Sequence, residues 1–83
     1  MATEVEVLAE RLLRGFNEEA LGNTETVVVA AEAAWRAGFD YGSEDYEAAL
    51  RYLLDSGYLR PATIVGGEGY SITVAGVERL ARE

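Results

Sequence analysis

The chain has 83 residues and a mass of 9.0 kDa, with fifteen Asp and Glu against seven Arg, a net charge of −8, and no Lys, His or Cys. That excludes disulfides, thiolate zinc sites, Ser-His and Cys-His nucleophile pairs, imidazole bases, phosphate-loop lysines and Schiff bases. Hydrophobic residues make up 49% of the chain, enough for the core of one small domain over residues 1–83. A domain this short buries only about 60% of its unfolded surface, which makes a homodimer the expected supplement.

Thr3 and Glu6 form a T-x-x-E capping box ahead of Val5, Leu8, Leu12 and Phe16, whose spacings of three and four share one helical face. A first helix is predicted from Glu4 to about Arg14, stopped by Gly15. Asn23 or Thr24 then caps a predicted second helix reaching Ala37, with Gly38 after it and Val27, Ala31, Ala34 and Trp35 facing inward. Three valines at 27 to 29 favour a strand locally, but the alanine-rich run that follows is the longer signal.

Phe39-Asp40-Tyr41-Gly42 reads as a turn, and Ser43 as the cap of a third helix ending at Asp55 before Ser56-Gly57. Tyr46, Ala49, Leu50, Leu53 and Leu54 form its core side, and Glu44, Glu47, Ala48, Arg51 and Asp55 its outer side. The period then changes to two. Tyr58 to Val65 and Tyr70 to Thr73 read as strands joined by Gly66-Gly67-Glu68-Gly69, and Pro61 confines its strand to an edge. Thr73 caps a final helix from Val74 to about Arg82, with Val77 and Leu80 or Ala81 inward.

The expected fold is therefore α+β: three helices, a two-stranded β-hairpin and a C-terminal helix. Leu53-Leu54-Asp55-Ser56-Gly57-Tyr58-Leu59 and Tyr70-Ser71-Ile72-Thr73-Val74-Ala75-Gly76-Val77-Glu78-Arg79-Leu80 resemble the end of the third helix, and the second wing strand with its following helix, of winged-helix proteins. The resemblance covers residues 4 to 82. It implies a winged helix, a family that usually binds DNA with the third helix and the wing, and whose terminal helices often pair in dimers. The motif residues themselves specify packing and carry no activity.

Charge argues against the usual task. Ser43 to Tyr58 holds Glu44, Asp45, Glu47 and Asp55 against Arg51 alone, and Glu68 is the one charged residue of the hairpin turn. DNA affinity comes largely from neutralising phosphates, and these carboxylates would repel a duplex. All of the −8 lies in residues 1 to 58, where twelve carboxylates face four arginines. An Arg-only, alanine-rich composition is what a G+C-rich genome writes, and in an acidic proteome a DNA binder keeps only a small basic patch. Arg36, Arg51 and Arg60 are the candidates for that patch.

The favoured reading is a protein-protein interaction or regulatory module working through Tyr41, Glu44, Glu47, Arg51, Tyr52 and Asp55, its partner another protein or a second copy. DNA-binding regulation is the alternative. Isolated carboxylates in Asp40 to Asp45 lack EF-hand spacing and the glycine run lacks a phosphate-loop Lys, so neither catalysis nor a cofactor is expected. The acidic start of the chain is unlike a signal peptide, and the longest apolar stretch is far short of the roughly 18 residues of a membrane span. A cytoplasmic protein is expected.

Overall fold

The computed structural model describes residues 3–82. Its element order is α1 (Glu4–Ala20), β1 (Val28–Val29), α2 (Ala30–Arg36), α3 (Glu44–Asp55), β2 (Leu59–Ile64), β3 (Gly67–Ile72) and α4 (Val74–Ala81). The strands form one antiparallel sheet in the order β1-β3-β2. The fold is α+β: four helices and a three-stranded sheet that includes a hairpin followed by a C-terminal helix. No helix among the described residues is long and apolar enough to cross a membrane.

The helix starts follow from local chemistry. The Glu6 amide donates to Thr3 Oγ1 at 3.2 Å, the Tyr46 amide to Ser43 Oγ at 3.2 Å and the Gly76 amide to Thr73 Oγ1 at 3.1 Å. Each cap satisfies an amide that has no partner within the helix. α3 and α4 run as expected, from these caps.

Gly15 does not end α1. The helix continues to Ala20 and closes on Leu21, a left-handed residue at φ 54°, with the Gly22 amide donating to the Asn17 carbonyl. Gly15 is instead a point of close approach: a Cβ there would lie 2.7 Å from the Ala33 carbonyl oxygen and 3.0 Å from Ala37 Cβ. The helix pair α1 and α2 therefore packs almost backbone to backbone. This seam explains why α2 turns Ala30, Ala33 and Ala34 inward, while Ala31 is exposed and Trp35 is 80% exposed. Only small side chains fit between helices this close, so alanine displaces tryptophan from the buried side.

The predicted second helix also begins five or six residues too early. Asn23 Oδ1 accepts from the Glu25 amide and caps a turn, and Val28 and Val29 pair with Tyr70 and Gly69. Val28 and Val29 thus obey their β preference once β3 supplies a partner, and the sheet has three strands, one more than the hairpin alone provides. Val28 is buried while Val27, just before the strand, is exposed. The hairpin turn is tighter than expected. Ile64 pairs with Gly67, so the turn is Val65-Gly66 with Gly66 at φ 83°, and Gly67 to Gly69 belong to β3. β2 is an edge strand, as Pro61 requires.

The core joins Leu12, Leu13 and Phe16 of α1, Tyr46 and Leu53 of α3, and Ile72 of β3. Leu8 packs against it, whereas Val5 at the start of α1 is exposed. Burying one such side chain contributes about 1.5–3 kcal/mol. Gly76 admits α4 to the sheet: a Cβ there would meet the Tyr58 carbonyl oxygen and Ile72 Cγ1, which lies 2.8 Å away.

Candidate interaction surface

The inner side of α3 is fixed by the core, which leaves Glu44, Glu47, Ala48, Arg51 and Asp55 exposed on the outer side. Glu44, Asp45 and Glu47 occupy its first turn, where negative side chains complement the amino end of the helix dipole. Glu47, Arg51 and Asp55 succeed one another at intervals of four and form a ridge between two grooves. One groove, of ≈ 440 Å³, is lined by this ridge with Val5, Ala48 and Tyr52. The other, of ≈ 230 Å³, is lined by the ridge with Leu50, Leu54, Glu68 and Tyr70.

The second groove has an ordered wall. Glu68 and Tyr70 are two residues apart on β3 and share a face, and both hydroxyls that reach the carboxylate bind it closely. Tyr41 donates to Glu68 Oε1 at 2.8 Å, and Tyr70 donates to Oε2 at 2.8 Å. Hydrogen bonds to an ionised acceptor are roughly twice as strong as neutral ones, so this carboxylate ties the α2–α3 loop to the hairpin. The Tyr41 ring lies 5.2 Å from that of Tyr46, and the Tyr70 ring meets Phe16 edge-on at 6.0 Å.

Tyr46 is wholly buried, and its hydroxyl has no hydrogen-bond partner among the described residues. Burial, then the Glu68 carboxylate, pushes its ionisation well above the ordinary tyrosine range. Burial and the bond to Glu68 push Tyr70 up to about 12. For Tyr41 the bond to Glu68 is the leading cause of a rise. All three phenols are thus held neutral around one charged carboxylate.

The surface residues expected from the sequence divide accordingly. Glu47, Arg51, Tyr52 and Asp55 come together along the first groove, and Tyr41 joins the second through Glu68. Glu44 lines neither groove. Glu68 and Tyr70 were not among the expected surface residues. Glu68 counts in the sequence as the lack of a cation at a turn, and only the strand alternation Glu68-Gly69-Tyr70 signals that it shares a face with Tyr70.

The three candidate phosphate ligands do not converge. Arg36 Nε donates to Glu19 Oε1 at 2.8 Å, and its Nη1 lies 3.8 Å from Glu18 Oε1, so it belongs to the seam with α1. Its hydrogen bond with Glu19 raises the guanidinium pKa further. Arg60 donates to the Thr24 carbonyl at 3.2 Å, bracing the segment before β1. Arg51 alone stands on the outer side of α3. Among the described residues no group of three carboxylates is arranged to hold a metal ion.

Comparisons with protein-family models, with curated proteins and with solved structures find no match to this chain.

Proposed function

We propose that this is a small winged-helix protein that acts by binding another protein through the outer side of α3 and the adjoining hairpin. The winged-helix assignment is supported by the succession of three helices, an antiparallel hairpin and a further helix. The strand β1 extends that sheet without changing the order.

One observation carries the preference for a protein partner: the surface where a winged helix usually meets DNA presents Glu47, Asp55 and Glu68 against the single guanidinium of Arg51. Arg36 and Arg60, which a phosphate-binding patch would recruit, are engaged elsewhere in the chain. A second copy as partner is supported by exposed apolar side chains on the terminal helices, namely Val5 and Val7 of α1 and Val74 of α4.

Fluorescence anisotropy on duplex DNA across a salt series tests the reading. The expected result is no binding at physiological ionic strength and, at low salt, a slope of only a few counterions, since the slope scales with the phosphates neutralised. Tight binding with a steep salt dependence would establish the DNA-binding regulator instead. A sedimentation mass of twice the 9.0 kDa chain would support the homodimer, and the chain mass itself at micromolar concentration would exclude it.

A further inference from the structure

The groove between α3 and the hairpin contains more than excess negative charge. Its floor is Leu50 and Leu54 beside the Tyr70 ring, and its walls carry Glu47, Asp55 and Glu68 against the one cation, Arg51. The carboxylates are strung along the groove, and no three of them are grouped to hold a metal ion among the described residues. An apolar floor with an anionic wall suits an occupant that is itself amphipathic, with an aliphatic stem and a cationic head.

Glu68 is prepared for such a head. Each of its oxygens accepts one tyrosine hydroxyl, at 2.8 Å, and each retains a free lone pair. An ionised carboxylate with acceptor capacity left on its oxygens can take a charge-assisted hydrogen bond from a guanidinium N–H. The Tyr46 hydroxyl adds an independent sign. It is completely buried and lacks a hydrogen-bond partner among the described residues, and its ring lies 5.2 Å from that of Tyr41, which donates to Glu68. The volume of ≈ 230 Å³ admits a long side chain, whereas a whole helix is about 10–12 Å across.

We propose that this groove is the docking site for an arginine side chain of a basic segment in the partner protein, with Glu68 as its counter-ion and Leu50, Leu54 and Tyr70 against its stem. This rests on the reading of the α3 side as a protein-binding surface and names the chemistry that it recognises.

The test is anisotropy of the full chain with a short fluorophore-labelled peptide of arginine, glycine and leucine, alongside the same peptide with citrulline in place of arginine. The arginine peptide is expected to bind and the citrulline peptide to lose most of its affinity. Glu68→Gln, which keeps the shape of the side chain, is expected to weaken binding by about tenfold, as loss of a charge-assisted pair does. Tyr41→Phe, which frees one carboxylate oxygen without removing the charge, is expected to weaken it less. A melting curve for each variant checks that it is folded.

Unchanged affinity in folded Glu68→Gln would overturn the site. If Glu47→Lys with Asp55→Lys still abolished binding in that case, the α3 side would remain a protein-binding surface and only the arginine groove would fail. If those reversals also had no effect, both would fail. Equal binding of the citrulline peptide would likewise overturn the arginine assignment.

Discussion

The seam between α1 and α2 and the groove between α3 and the hairpin use the same residue types to opposite ends. In the seam the cations are consumed: Arg36 meets Glu18 and Glu19, and the Arg11 guanidinium lies 4.3 Å from the centre of the Phe39 ring. The two backbones nearly touch at Gly15. In the groove three carboxylates face one arginine, above a floor of buried Leu50 with half-buried Leu54 and Tyr70. Charge content therefore says little about function until each partner is known. The seam closes its charges internally, while the groove leaves its own available.

Adding one methyl group to each region should separate them most clearly. Gly15→Ala forces a Cβ against the Ala33 carbonyl, and overpacking of this kind costs about 2 kcal/mol, or roughly 10 °C in a thermal melt. Enlarging Ala48, exposed on the outer side of α3 in the neighbouring groove, should stay within about 0.5 kcal/mol. Equal effects in the two melts would mean that the seam is not tightly packed.

Alkali should act on the groove side. Tyr70 ionises only at about 12 in the folded chain, against about 10 for a free tyrosine. The unfolded chain therefore releases this proton first, and the stability gained from keeping the phenol neutral is complete below pH of about 10 and is lost as pH rises through about 12. Tyr41 and Tyr46, also raised, add to the same loss. Circular-dichroism melts should show stability falling over this interval, and Tyr70→Phe should flatten the fall. A variant that matches the wild type across the whole interval would remove Tyr70 from this account.

Leu21 ends the seam in a left-handed conformation and is 91% exposed, so nothing it buries offsets the strain. Leu21→Gly should stabilise the chain by about 1 kcal/mol in denaturant unfolding. The smallest effects are expected from the arginines. Arg36→Gln should lower the melting temperature slightly, because its ion pairs are exposed. Arg51→Gln should leave it unchanged.

These differences also explain what the sequence could reveal. α3 and α4 were legible because their starts depend on Ser43 and Thr73, whose caps act within three residues, and because Gly57 ends α3 with a positive φ of 78°. The start of α2 was not, because Val28 and Val29 take strand geometry only through β3, some forty residues later. The role of Gly15 was hidden for a related reason: a helix end and a close helix crossing both call for glycine, and only α2 distinguishes them. On the candidate surface, helical periodicity gathers Glu47, Arg51 and Asp55. Glu68 joins them only once the hairpin register is known.

The most direct test of the groove is to follow the backbone amide shifts of the full chain by two-dimensional NMR during titration with the arginine peptide. Shifts are expected to concentrate at Glu47, Arg51, Asp55, Glu68 and Tyr70, with Glu18, Glu19 and Arg36 unmoved. Shifts centred on the α1–α2 seam, or no shifts with the peptide but a saturable set on α3 with duplex DNA, would contradict it.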